Sequence, residues 1–517
     1  MLSNAIRLFH TVKYLRPKQI NYRLYYFFRK RIREVLGKNY DLSKSANTQV
    51  LKFEKSIHIV DCYFEDKKFS FLNLDKKFEN VIDWNFATYG KLWTYNLVYF
   101  DYLSQDSEDD KLFLMESFID STKDIKAGLE PFPISLRGIN WVKYLSFKEI
   151  RNKKIDDSLY AQYDILLDNL EYHLLGNHLL ENGFSLLFAA YYFKDEVFYL
   201  KAKEILNEEL EEQILKDGAH FELTPMYHQI MLFRVLDCIN LVKNNSWKNE
   251  ELLKFLLDKA GLMLGWLKNI TYKNGEMPLF NDSTYGIAPS SLQLFDYAER
   301  LEVDIVELSL GESGYRKVFT NSYECILDVG PIGASYIPGH AHADVFNFEL
   351  MVNSNLFIVD TGLSTYETNE RRVLERSTFS HNTVEVNGES QSEVWAGFRV
   401  AKRANIINLE EGKDFVKATH DGYKNYGIYH TRIWTFKDSK IEIKEELNKM
   451  ATAVSRLHFH PAVTKKEILK RVKCNHLDYK VTTYNYSPEF NTYLEALVLE
   501  VYFNKDLLIE IDLKEEV

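Results

Sequence analysis

From about Asp83 to about Leu310 the apolar residues recur every three to four positions, as in Ile165, Leu166, Leu170 and Leu174, or Phe184, Leu187, Ala190 and Tyr191. That spacing puts them on one face of a helix, so this half of the chain reads as a succession of helices. Proline and glycine are sparse there and cluster at turns such as Pro131-Phe132-Pro133 and Lys216-Asp217-Gly218. A bundle, a solenoid and an α/α toroid all satisfy this pattern, and periodicity does not choose among them. From about Tyr323 the period becomes two: Tyr323, Cys325, Leu327, Val329, then Phe346, Phe348, Leu350, Val352, then Val384 and Val386 before the turn Asn387-Gly388. Trp434, Phe436, Ile441 and Ile443 keep the habit, as do Leu507, Ile509, Ile511 and Leu513. Strands joined by hairpin turns predict an antiparallel β-sandwich. Gly311-Glu312-Ser313-Gly314 separates the two periodicities. The expected organisation is therefore α+β and multidomain: a basic helical lead-in over 1–82, a helical domain over 83–315 and a β-sandwich over 316–517.

Composition narrows the function classes. Hydrophobic residues make up 46% and charged residues 27%, enough apolar surface for packed domains throughout. The net charge of −11 argues against bulk attraction to nucleic acid, so a polyanionic substrate would have to meet a local basic groove. Charge is unevenly spread, with ten Lys or Arg against the single acid Glu34 between Met1 and Tyr40. The run Tyr22 to Arg31 could lie on an anionic membrane, although packing on its own domain is the favoured reading. No signal peptide is visible, because Arg7, Lys13 and Arg16 interrupt each early apolar run, and no segment reaches transmembrane length. Cys62, Cys238, Cys325 and Cys474 form no CxxC pair, which fits a reducing compartment and leaves the location cytoplasmic or unresolved.

The densest polar constellation is Pro338-Gly339-His340-Ala341-His342-Ala343-Asp344, just before an alternating strand. Histidines at i and i+2 of an extended segment project to one side, so they can share a cleft. Asp360 at a strand end and His381 entering another add a carboxylate and an imidazole. His342, Asp360 and His381 are suitable metal donors, although hydrogen-bonded strand termini are the favoured reading of these residues taken alone. In the helical half Asn177-His178 and Thr224-Pro225-Met226-Tyr227-His228 interrupt apolar runs. Helix capping, a proline-opened helix and a core tyrosine are the structural readings.

Taken together, several strings resemble the heparinase II/III family over most of the chain. They are Asp83-Trp84-Asn85, Leu92 to Leu97, Arg137-Gly138-Ile139-Asn140-Trp141, Asn177-His178, the segment from Asp217 to His228, Asn281-Asp282-Ser283, Gly339 to Asp344, and Arg376-Ser377-Thr378 leading to Ser380-His381-Asn382-Thr383-Val384. The resemblance implies an incomplete N-terminal α/α toroid, an antiparallel β-sandwich and an active cleft between them. It implies a lyase that cleaves an anionic uronate-containing polysaccharide by β-elimination. Asn177, with His178, matches the residue that neutralises the uronate carboxylate; Tyr227 and His340 match the proton-transfer pair. His342, Asp360 and His381 match the ligands of a divalent metal, zinc, that would organise the loop bearing His340. Arg137 and Trp141, in a segment like the family's cleft-lining turn, and Arg376 are the candidates for substrate contact.

The chemistry asks for these groups. Removing the C5 proton of a 4-linked uronate makes an enolate-like dianion, which hydrogen-bond donors at the carboxylate stabilise as an oxyanion hole does. A base takes that proton and an acid protonates the departing O4. A tyrosine serves as base only if its phenol is ionised or shares its proton, which nearby cations such as His228 or a groove arginine would promote. One rival is a toroidal glycoside hydrolase using Glu222 and Asp282. Another is a glycan-binding protein without catalysis.

Overall fold

The structure is a computed structural model that describes residues 2–106, 111–248, 250–476 and 478–514. Two helices open it, α1 (Leu2–Val12) and α2 (Pro17–Leu36). Pro17 sits in the first turn, where its missing N–H costs nothing, and Gly37 closes α2 at φ 62°, where a side chain would be strained. An extended stretch leads to a small antiparallel sheet of β1 (Tyr63–Phe64), β2 (Lys68–Phe71) and β3 (Leu74–Lys77), which sends Phe69 and Phe71 into the helical core. The hydrophobic pattern over 1–82 gave no sign of this sheet, because its strands are too short to display a period.

The helical domain comprises α3 (Lys91–Tyr99), α4 (Leu112–Ser121), α5 (Pro131–Phe147), α6 (Lys153–Asp168), α7 (Gly176–Phe193), α8 (Glu196–Gln213), α9 (Pro225–Asn244), α10 (Glu250–Ile270) and α11 (Ser291–Arg300). Alternate helices form two layers: α3, α5, α7, α9 and α11 pack side by side within, and α4, α6, α8 and α10 outside. Burial follows. Almost every residue of α7 is covered, whereas α8 buries one stripe through Phe198, Ala202, Ile205 and Leu206. Asn152 and Asp195 cap α6 and α8 by accepting first-turn N–H groups, each contributing about 1 kcal/mol. The result is an incomplete α/α toroid, the arrangement that the family resemblance implies and that periodicity alone left open.

The strands then build antiparallel sheets. One is β4 (Tyr315–Phe319), β5 (Tyr323–Asp328), β6 (Phe348–Val352) and β7 (Asn355–Ile358), in that order. A six-stranded sheet runs Ile406–Glu411, Phe415–His420, His430–Lys437, Lys440–Leu447, Asp506–Asp512, Val472–Cys474, and a four-stranded one runs Tyr479–Tyr486, Leu494–Phe503, Ala453–His458, Val384–Val386. The period-two residues Cys325, Leu327, Phe348 and Leu350 face the sandwich core. Their neighbours are buried as well, because β5 and β6 also lie against the helices. Ile326 and Met351 join the helical core, Glu324 accepts the Lys273 N–H, and Glu349 accepts the Leu279 N–H and the Tyr272 hydroxyl. This sheet cements the two domains and fixes the cleft between them.

Candidate active site

The helical lip of the cleft is made from helix starts. Leu175 and Gly176, both at positive φ, turn the chain into α7 and place Asn177 in its first turn. Glu222 accepts the Asn177 backbone N–H at 3.0 Å and its side-chain Nδ2–H at 2.8 Å. The unpaired N–H groups of a helix start favour such a carboxylate. A Cβ at position 176 would lie 2.8 Å from Glu222 Oε1, so only glycine admits this approach. His178 follows, with its ring against Phe132 and its Nδ1 3.1 Å from Glu171 Oε1. Burial alone would lower its pKa, but Glu171 holds it above the ordinary histidine value. Pro225 opens α9 and puts Tyr227 in that helix's first turn.

The opposite lip is the 338–344 loop. His340 lies flat on the Tyr227 ring, with centroids 3.9 Å apart and planes 29° apart. Its Nδ1 is 2.9 Å from Asp282 Oδ2, and its Nε2 is 3.5 Å from Asn177 Nδ2 and 3.8 Å from Glu222 Oε2. His342, two residues on, reaches the same carboxylate, with Nε2 2.7 Å from Asp282 Oδ1. His340 is half-buried and faces the cleft; His342 is wholly buried. Arg372, on α12 (Glu370–Glu375), grips both oxygens of Asp282 at 2.5 and 2.6 Å. Burial would raise the Asp282 pKa, but Arg372 and the two histidines hold it well below the carboxylate range. Asp282 is thus an anion that orients both imidazoles. Tyr366 completes the wall, with its hydroxyl 3.4 Å from that of Tyr227. Arg372 and Tyr366 carried no sequence signal beyond the i, i+4 spacing of Arg372 and Arg376.

Three expected substrate contacts are corrected. Arg137 is fully buried in α5 and donates to Gln162 and to the carbonyls of Val98 and Gly128. With no carboxylate among these partners, burial brings it down to about 9. Trp141 is equally buried, edge-on to Phe100 and Phe118. One helical turn apart, both face the core. Arg376 donates to the carbonyls of Ala341 and Gly397, so it braces the His340 loop from behind rather than lining the cleft. His228 is no cation beside Tyr227 either. Burial lowers it to about 3, and it bonds the Met263 carbonyl and the His220 N–H.

The expected metal ligands are buried close together. His381 Nδ1 is 2.7 Å from Asp360 Oδ2, which also accepts from Asn347, and the His342 and His381 rings lie 5.2 Å apart. His342 Nδ1, His381 Nε2 and Asp344 Oδ2 are buried without hydrogen-bond partners. Among the described residues no three His, Cys, Asp or Glu side chains converge as a metal site. The donor chemistry and the unpartnered ring nitrogens fit a divalent cation, although Asp360 is here spent on His381.

A toroid joined to a β-sandwich, with an Asn, Tyr and His meeting where they join, defines the class of protein. The heparinase II/III N-terminus matches residues 156–300 and the heparinase II/III-like C-terminal domain matches residues 308–484, and the chain belongs to this heparinase II/III-like family. It is 26% identical over 260 residues to a heparin-sulfate lyase of Bacteroides stercoris, covering 43% of this chain and 38% of that protein. With the heparin-sulfate lyase of Pedobacter heparinus it shares 24% identity over 316 residues, covering 55% and 45%. These matches therefore span less than half the length of either relative. A crystal structure of heparinase III superposes with a TM-score of 0.63 at 16% identity, covering 85% of this chain and 80% of that one, a likeness of fold.

Proposed function

We propose that the protein is a polysaccharide lyase that cleaves a uronate-containing glycan by β-elimination. The observation that carries this reading is the meeting of Asn177, Tyr227 and His340 within hydrogen-bonding and stacking distance, although they come from two helix starts and a loop of the other domain. In the proposed step Asn177 Nδ2, with His178 beside it, donates to the uronate carboxylate as charge develops there. Asp282 holds the Nδ1–H of His340, which leaves Nε2 to take the C5 proton. Burial raises the Tyr227 pKa, so its phenol keeps its proton and can deliver it to the departing O4. Elimination then leaves a C4–C5 double bond with no water consumed. The hydrolase reading needs two available carboxylates, but Asp282 is bound to Arg372 and two histidines, and Glu222 is bound to Asn177.

The names of the relatives make heparin sulfate the first polymer to test, followed by other uronic-acid polymers. The expected result is rising ultraviolet absorbance from the conjugated product. New reducing ends without absorbance would mean hydrolysis, and release of nothing from any polymer would overturn the reading. The proposal includes a zinc ion held by His342, Asp360 and His381. It would stiffen the loop bearing His340 and leave proton transfer to the side chains. Elemental analysis should find about one zinc per chain; a protein that stays metal-free after zinc is added would refute this part alone.

A further inference from the structure

α2 carries two opposed stripes. Gln19, Tyr22, Tyr26, Arg29 and Arg33 face the toroid: Gln19 donates to the Leu174 carbonyl at 2.9 Å, Tyr22 stacks on Tyr172 at 4.6 Å, and Arg29 and Arg33 pair with Asp168. The inward stripe is thus mostly polar. Ile20, Leu24, Phe27, Phe28, Ile32 and Val35 recur at helical spacing on the other side and are exposed, Phe28 by 59% and Val35 by 86%. α1 repeats the arrangement with Ile6, Phe9 and Val12 outward, while Arg7 pairs with Glu393 of the β-domain. A helix that turns its apolar stripe to solvent while packing through its polar one is the reverse of an ordinary surface helix.

The charges around the stripe say what covers it. Arg31 lies within it and Arg23 and Lys30 run along its edge, all exposed. They belong to a segment with nine excess positive charges in a chain whose net charge is −11. A second copy docked stripe to stripe would set like cations against each other. No helix among the described residues is long and apolar enough to cross a membrane. Apolar side chains rimmed by Lys and Arg on a helix too polar to insert match the headgroup boundary of an anionic bilayer.

We infer that α1 and α2 form a membrane-docking surface for anionic lipid. The test is co-sedimentation of the full chain with phosphatidylcholine vesicles containing phosphatidylglycerol, compared with phosphatidylcholine alone. Binding should be at least about tenfold stronger to the anionic vesicles and weaken with added salt. F28S/I32S and K30E/R31E should each remove most of it without lowering the thermal midpoint. Failure to sediment with anionic vesicles at low salt would overturn the inference. So would a dimer, seen by light scattering, that the same substitutions dissociate in a protein that ignores lipid.

Discussion

Asn177 and Tyr227 occupy the first turns of α7 and α9, whereas His340 sits in a loop with no repeating structure of its own. The helical pair is aimed by backbone geometry: a glycine turn before one, a proline start before the other. The loop is aimed by buried charge, through an Asp282–Arg372 ion pair that orients His340 and His342, and by Arg376 on the Ala341 carbonyl. Regular structure positions a side chain through its own hydrogen-bond ladder. An irregular segment must borrow that rigidity from groups that are costly to unpair.

The comparison is broken most severely at the residues that face each other across the cleft. Tyr227→Phe and His340→Ala should each lower kcat by about 10²–10⁴ on the true substrate, as loss of a proton-transfer group does. Neither should shift the unfolding midpoint much, since Asp282 keeps Arg372 when His340 is lost. Near-normal turnover in either variant, read from product absorbance, would remove that residue from the mechanism.

Arg372→Met attacks the loop's support instead. It strands the fully buried Asp282 anion, so it should cost about 3–5 kcal/mol of stability and most of the activity together. Arg137→Met is the control from the helical side. Arg137 is just as buried, but its loss leaves only carbonyls and an amide unpaired, at a cost of about 1–3 kcal/mol with turnover intact. Denaturant titration of both proteins decides between them, and equal losses would mean that the ion pair has no special part in holding the loop.

The same contrast explains what could be read from the chain alone. Helical and two-residue periods report burial of a face, so a helical half followed by a strand-rich half was legible, whereas the toroidal arrangement of the helices came from the resemblance, since periodicity does not choose among helical packings. Asn177 and Tyr227 stood out as polar groups interrupting an apolar pattern at helix starts, which by itself reads as capping or core packing, and their candidate roles came from the resemblance. Arg137, Trp141 and Arg376 misled, because sequence shows that a guanidinium or an indole exists and not whether it meets a substrate or the chain's own interior: carbonyls for the two arginines, Phe100 and Phe118 for the tryptophan. Asp282 drew notice as a carboxylate for hydrolysis, whereas the structure uses it as the anion that orients two imidazoles. Its role depends on Arg372, ninety positions away, and pairing at that distance leaves no periodic trace.

His178 offers the mildest test, at the outer edge of the helical lip. Its side chain is 35% exposed, and Glu171 raises its pKa above the ordinary histidine value. The protonated form therefore persists to higher pH than in a free histidine and disappears as pH rises through the raised value. If that charge helps Asn177 hold a uronate carboxylate, KM should climb as pH passes upward through that titration, while kcat follows other groups. His178→Gln should raise KM about three- to tenfold on the acid side, the size of one charge-assisted hydrogen bond in a partly solvated place, and should flatten its rise with pH. A variant that keeps the wild-type slope of KM against pH would leave carboxylate recognition to Asn177 alone, and the helical lip would then work entirely through neutral donors.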